Sequence, residues 1–459
     1  MRWRSWRGPS TRSSFVECGP MGDHGSRMTG REHAAMAESE PASGRRKGTL
    51  RLGFSTGTAA VAAARAALRF WRTGTRPPTV AVRLNAGYYL PVPIADGGRT
   101  ERETWASVVK DGGDDPDVTH GARIIARLRC LPGLETGNPG PMDCDSEVGP
   151  GHGGANGRSA NPLICLVGGK GVGRVTKPGL PVVPGEPAVN PGPREMMTIN
   201  LREELLRCSG TGPPPYHSII PWNPPAVPHV LMGEQPGDWV IEVEIEVPDG
   251  ERLAQHTLNP RLGVLGGISI LGTTGLVRPF SHAAYEETIQ AELSVARSNG
   301  CRTVVLSTGG KSERHAREYL GSWPQEAFVQ VADFFAFSVR EARRVGCSGV
   351  VHSVFFGKAV KMAQGHEYTH AHKNRMDLGS LAALCRDGGH PGELCDEIEG
   401  ANTARHALEI LLREGAMELV LQVAEGAAAA SWRIAEEGMS VRLLLFNHDG
   451  RLLADVRRP

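Results

Sequence analysis

The stretch Ser281–Gly310 reads SHAAYEETIQAELSVARSNGCRTVVLSTGG. Ser281 is a natural helix N-cap, and Tyr285, Ile289 and Leu293 recur at helical spacing behind it. Asn299 and Gly300 end the helix. Thr303–Leu306 is a short apolar run with the length of a buried strand, and Ser307-Thr308-Gly309-Gly310 is the turn after it. The alternation goes on with a helix over 334–345, a strand over 349–354 and a helix over 357–363. Strands alternating with helices predict an open α/β domain with a mostly parallel sheet. Ligands of such domains sit at the carboxyl ends of the strands, where the Gly309-Gly310 turn stands.

Upstream of Pro279 the pattern is different. Gly53-Phe54-Ser55-Thr56-Gly57-Thr58 leads into the Ala-rich run Ala59–Arg72, a strong helix former with Ser and Thr as caps and with Gly74 and Pro77 at its end. Its N-terminus is either an anion site or only a well-capped start. Thr79–Leu84 and Tyr89–Ile94 read as paired strands. Ile124, Ala126, Leu128 and Cys130 alternate with mostly Arg positions, which predicts a strand with one wet face. Ile241, Val243, Ile245 and Val247 alternate with Glu242, Glu244 and Glu246, a half-buried strand with solvated glutamates. Residues 1–47 carry no periodicity and read as a loose extension. Residues 133–161 and 209–238 are rich in Gly and Pro and read as surface insertions. The expectation is an α/β chain with an α+β domain over 48–278 and an open α/β domain over 279–459.

The chain has 459 residues, 40% hydrophobic and 22% charged, with a net charge of +1. This is a globular balance that gives no ground for wholesale binding to nucleic acid or to a membrane surface. No run approaches the roughly 18 apolar residues of a spanning helix. The first residues carry Arg2, Arg4, Arg7 and Arg12 but no apolar core of a secretory signal. Nine Cys are scattered without a Cys-x-x-Cys pair, which fits reduced thiols in a cytoplasm.

Four segments carry chemistry. In Ala106–Gly121, the carboxylates Asp111, Asp114, Asp115 and Asp117 crowd between Lys110 and His120. Such crowding can gather a cation, hold a proton or orient a polar ligand, or it can be an acidic turn with side chains bonded to its own backbone. Gly168–Gly179 brings Lys170, Arg174 and Lys177 together after the strand Leu163–Val167. It lacks dinucleotide-loop spacing, so its cations either meet ligand carboxylates or sit on a tight hairpin. Gly310-Lys311-Ser312 ends like a P-loop, but Val305 stands where the first Gly is required. His366-Glu367-Tyr368-Thr369-His370 matches a zinc-protease pattern that works on a helix, yet Gly365, Tyr368 and Thr369 oppose a helix there.

Three groups of segments go beyond such generic patterns. They are Gly53–Thr58 with its helix; Ala106–Gly121, Gly168–Gly179, Pro184–Pro191 and Pro193–Met196; and Thr257–Gly275. Together they resemble the CbiD family, the cobalt-precorrin-5B carbon-1 methyltransferases of oxygen-independent cobalamin biosynthesis, from about residue 50 to about residue 410. The resemblance implies transfer of a methyl group from S-adenosylmethionine to ring carbon 1, giving cobalt-precorrin-6A. It implies a first domain resembling ribosomal protein S5 domain 2 and a Rossmann-like second domain. The partner is a small-molecule corrin, with no nucleic acid or membrane, and homo-oligomerisation is left open. Cobalt arrives inside the substrate, so no protein-bound metal is expected.

Under this resemblance Lys110, Asp111, Asp115, Asp117, Lys170, Arg174, Lys177, Asn190, Arg194, Asn259 and Arg261 are the candidate substrate contacts. Thr56, Gly57, Gly266, Gly267, Ser269, Gly272, Thr273, Thr274, Gly275, Gly309 and Gly310 are the candidate donor contacts, in a cleft between the two glycine-rich places. Asp114 or His120 would handle a proton. The chain departs from the family at Ser307–Gly310, where the family has Thr-Pro-Gly-Asn-Tyr-Gly. It departs again at Val354–Lys358 (Gly-His-x-Gly-Lys) and at Tyr368–His370 (Asn-Thr-His). A non-catalytic corrinoid-binding protein is the rival reading.

Overall fold

Ser55 caps the helix Thr56–Thr73 by accepting the Thr58 amide on its side chain, and Gly74 closes it in the left-handed conformation. Every residue from Thr56 to Leu68 is buried. Alanine side chains let a helix be enclosed on all sides, because neighbouring backbones can approach closely. The helix Pro191–Leu206 and the strands Thr104–Val109 and Arg123–Pro132 pack around it. The computed structural model describes residues 50–132, 163–206, 230–232, 239–370 and 376–459. The expected extension 1–47, the insertion 133–161 and most of 209–238 lie outside these residues.

Among the described residues six strands form the first large sheet, in the order Val230–Met232, Leu163–Gly168, Trp239–Glu246, Arg123–Pro132, Thr104–Val109, Asp96–Arg99. Trp239–Glu246 runs parallel to Leu163–Gly168 and antiparallel to Arg123–Pro132. Val230–Met232 falls in a segment read from sequence as an insertion, and it is the edge strand of this sheet. Ile241, Val243, Ile245, Ile124, Ala126 and Leu128 face the core. The opposite face corrects a second expectation. Glu242, Glu244 and Glu246 are not simply solvated: Arg129 holds Glu242 at 2.9 Å and Glu244 at 2.8 Å, and Arg127 holds Glu246 at 3.1 Å. The register sets Glu242 directly opposite Arg129, while the Arg129–Glu244 and Arg127–Glu246 pairs run diagonally across the two strands, and cross-strand pairs of opposite sign stabilise a sheet.

The second large sheet has the order Phe328–Gln330, Thr303–Ser307, Gly349–Phe355, Ser440–Phe446, Leu452–Arg458. The first four strands are parallel and the last is antiparallel. Thr303–Ser307 and Gly349–Phe355 are buried along nearly their whole length, as strands covered on both faces must be. The expected α/β class therefore holds. One hydrophobic core draws on Phe54–Ile270 and another on Ile289–Val456.

Leu50–Pro459 forms one compact unit, and ion pairs join its halves. Arg261 reaches Glu292 at 3.0 Å, Glu313 at 3.0 Å and the Phe328 carbonyl at 2.7 Å. Lys177 binds Glu326 at 2.5 Å. Burial pushes Glu292 up to about 6, although the Arg261 guanidinium pulls it the other way. His366–His370 is not helical, so the zinc-protease geometry is missing. Among the described residues no group of three or more His, Cys, Asp or Glu could hold a metal ion, and no helix is long and apolar enough to cross a membrane.

Candidate functional site

In the second sheet the strands Thr303–Ser307, Gly349–Phe355 and Ser440–Phe446 end side by side. Numbered along the chain, the sheet order is 2-1-3-4-5. The connections from strands 1 and 3 leave in opposite senses, and this opens a crevice at their carboxyl ends. A cavity of about 650 Å³ lies there. Gly309, Lys311, Phe355, Lys358, Lys361 and Arg405 are among its lining residues, and no Asp or Glu among the described residues lines it.

Each cation arrives by a simple local route. Lys311 follows the Gly309 turn, where the Gly309 amide bonds the Ser312 hydroxyl at 3.1 Å as the helix Gly310–Leu320 begins. A Cβ on Gly309 would meet nothing within 4 Å, so this backbone borders open space. Lys358 and Lys361 lie on the helix Phe356–Ala363, which starts directly after its strand. Arg405 is in the first turn of Ala404–Arg413, capped by Thr403. Three helix N-termini thus begin on the cavity wall, each adding positive potential.

Burial is the main influence on the titrating groups of this wall. Burial pushes Lys358 down to about 8, with Lys361 adding to the shift, although Asp333 is ion-paired with it. Lys361 is buried, and its ammonium donates to two neutral carbonyls, Thr369 at 3.2 Å and His370 at 3.1 Å. Burial lowers its pKa as well. His448 stacks on Phe355 with ring centroids 4.5 Å apart. Burial, then Lys311 and Arg405, hold His448 below the ordinary histidine value.

The acidic loop is a separate structure, and neither Asp114 nor His120 lines the cavity. Lys110 is buried and binds Asp117 at 2.5 Å. Burial would raise Asp117, but the Lys110 charge and the Thr119 hydrogen bonds outweigh it and hold the carboxyl below its usual range. Asp111 pairs with Arg51, Asp114 accepts the Arg51 amide at 2.6 Å, and Asp115 accepts the Phe280 amide at 3.1 Å. His120 accepts the Gly112 amide on Nδ1 at 3.0 Å. That bond fixes the neutral tautomer with its proton on Nε2.

The glycine-rich run 263–275 packs backbone on backbone. Thr56 donates to the Ser269 and Leu271 carbonyls, and the Gly57 amide bonds Leu271 at 2.9 Å. The Gly57 and Thr58 amides in the first turn of the Ala-rich helix are therefore occupied, which favours a capped start over an anion site. Asn259 holds the Gly267 carbonyl at 3.0 Å and accepts the Ser269 hydroxyl at 3.2 Å. Gly272 abuts Ser55, Gly275 accepts from Ser55 and Thr58, the Thr273 carbonyl takes Asn85, and the Thr274 hydroxyl takes Leu276. Gly266 borders open space. No residue of 266–275 lines the cavity, so the structure does not bring this run and Gly309-Gly310 into it together.

The expected substrate clamps divide in the same way. Arg194 is bound to Glu186 and the Val189 carbonyl, and Lys177 and Arg261 join the two halves. Arg174 bonds the Gly185 carbonyl, the Asn190 amide bonds Ile270, and Lys170 is exposed. The segment Gly171–Val175 is not a hairpin, since its two short strands pair with Gly267–Ile268 and Val264–Leu265. Sequence reasoning missed Lys361, Arg405 and His448. The signal was their place just after strand ends and at a helix start, in a region whose strands beyond 355 had not been assigned.

Comparison with known proteins adds the decisive observation. The CbiD family model matches residues 43–213 and 222–279, and the model of the CbiD C-terminal domain matches 368–457. The chain belongs to the CbiD family. A cobalt-precorrin-5B C(1)-methyltransferase of Nitratidesulfovibrio vulgaris is 39% identical, covering 93% of this chain and 99% of that protein. Its counterpart in Geobacillus thermodenitrificans is 36% identical over 89% and 95% of the two chains. A crystal structure of a cobalamin biosynthesis protein (cbiD) from Archaeoglobus fulgidus is 23% identical over 74% of this chain and 85% of that one, with a TM-score of 0.31. The three segments read from the sequence as departures from the family's pattern each contribute residues to the cavity of this CbiD chain: Thr308 and Gly309, Phe355–Lys358, and Thr369.

Proposed function

We propose that the chain transfers a methyl group from S-adenosylmethionine to carbon 1 of cobalt-precorrin-5B, in the cytoplasmic synthesis of cobalamin. The observation that carries this reading is the 39% identity to a named methyltransferase of that specificity across 99% of its length. A sulfonium donor is reactive in itself, so the protein's task is to align the two reactants and exclude water. The test is anaerobic incubation of the purified protein with cobalt-precorrin-5B and methyl-labelled S-adenosylmethionine, read by mass spectrometry. One labelled methyl group on the corrin is expected. Unchanged corrin, with a known family enzyme active in parallel, overturns the reading in favour of a corrinoid-binding protein.

Proton handling falls to Asp114 rather than His120. His120 cannot accept a proton on Nδ1 without giving up the Gly112 amide, whereas Asp114 is exposed and engages the Arg51 amide through Oδ2. Asn can still accept that amide, so Asp114→Asn tests the proton alone. A kcat lowered about 10²–10⁴-fold with unchanged melting temperature is expected. A kcat within about twofold of wild type removes Asp114 from the chemistry.

A further inference from the structure

We propose that the cavity at the carboxyl ends of Thr303–Ser307, Gly349–Phe355 and Ser440–Phe446 receives the carboxylate-bearing edge of the corrin, and that the methyl donor binds outside it. The corrin identity of the ligand rests on the methyl-transfer reading. The anionic class of the ligand does not.

Charge balance excludes the donor from this place. Among the described residues four cationic side chains line the cavity, and no acidic one does. Of the four, Lys358 is neutralised by Asp333 and Arg405 lies against Glu409. Among the described residues Lys361 has no carboxylate partner: it is buried against two neutral carbonyls. A buried ammonium without a counter-ion is costly, and an anion entering the cavity removes that cost. Lys311 is exposed at the mouth, free to swing onto a second carboxylate. The helices Gly310–Leu320, Phe356–Ala363 and Ala404–Arg413 all start on this wall, and their dipoles add to the same sign. S-adenosylmethionine carries a sulfonium and an ammonium against one carboxylate, so it enters this field with net repulsion. A macrocycle edged with carboxylates enters with attraction at several points at once. The apolar part of the lining, Phe355, Phe446, Leu408 and Met376, then meets the methyl-bearing ring edge between its acids.

The test uses the full chain with two corrin probes: cobyrinic acid, a cobalt corrin with free carboxylates, and its fully methyl-esterified form. S-adenosylhomocysteine stands for the donor side. Lys361→Met addresses the buried ammonium. The exposed pair Lys311→Gln/Arg405→Gln gives a second variant that keeps the core intact. Both variants are expected to weaken cobyrinic acid about tenfold or more in Kd, the equivalent of about 1.4 kcal/mol, and to flatten the salt dependence of its binding. The ester binds weakly to every form, and S-adenosylhomocysteine affinity stays within about twofold. The proposal is overturned by unchanged cobyrinic acid affinity in the exposed double variant. It is also overturned by a loss of S-adenosylhomocysteine affinity with corrin binding intact, or by a wild-type protein that does not bind the acid. Wild-type protein that methylates cobalt-precorrin-5B while the variants keep full corrin affinity sinks this inference alone. Wild-type protein that binds the acid through these cations yet transfers no methyl group sinks only the methyl-transfer reading.

Discussion

Replacing Arg65 by methionine will destabilise the fold by about 3–5 kcal/mol. Arg65 is fully buried in the Ala-rich helix. Its guanidinium holds Glu204 at 3.0 Å, Asn200 at 2.7 Å and Glu203 at 3.2 Å, all on the second helix. Glu204 is itself only 5% exposed. Burial pushes its pKa up, and Arg69 and Arg65 more than reverse this. Without Arg65 the carboxylate keeps Arg69 alone, at 2.6 Å, and much of its desolvation goes uncompensated. Methionine preserves the apolar stem, so the loss measured is that of the charge. Urea melts check it, and Arg65→Met/Glu204→Gln should recover part of the loss by removing the stranded charge. A loss below about 1 kcal/mol would mean that Arg69 alone suffices.

Replacing Gly267 by alanine will be at least as severe, with little soluble protein. An added Cβ would stand 2.1 Å from the Gly171 carbonyl oxygen and 2.2 Å from its carbon. Gly267–Ile268 pairs with Gly171–Val172, so the obstacle is backbone that other contacts already fix. A Cβ on Gly171 would in turn be 1.9 Å from the Val247 carbonyl oxygen. Overpacking against movable side chains costs about 1–3 kcal/mol, and immovable backbone raises that figure. Gly266→Ala is the control. Gly266 has a φ of 80° and open space around it, so only local strain of about 1–2 kcal/mol applies. If the glycines served the donor instead, Gly267→Ala would yield a well-folded protein that binds S-adenosylhomocysteine poorly. Soluble yield, melting temperature and that affinity together separate the two cases.

These two sites show where sequence reading ran out. The glycines of Gly266–Gly275 were legible as positions that need close approach, but whether a ligand or another strand approaches is a matter of what lies opposite. The cations at Lys177, Arg194 and Arg261 were legible as carboxylate binders, and carboxylates do bind them. The partners are Glu326, Glu186, Glu292 and Glu313 of the same chain. The helix caps at Ser55 and Ser281 were read correctly, and the strands at 79, 89, 303 and 349 begin where read and end within one residue of it, because a cap and a period involve only a few consecutive residues.

The sequence by itself determined the α/β class, the Ala-rich helix, the alternation after Ser281 and the CbiD resemblance, since each is written in local spacing or contiguous identity. Only the tertiary structure decided that Lys311, Lys358, Lys361 and Arg405 line one cavity without an acid among them. These four lie on three helices spread over nearly a hundred residues of chain. What gathers them is the strand order of the sheet, which no local pattern encodes, because pairing between distant strands is set by the packing of the whole core.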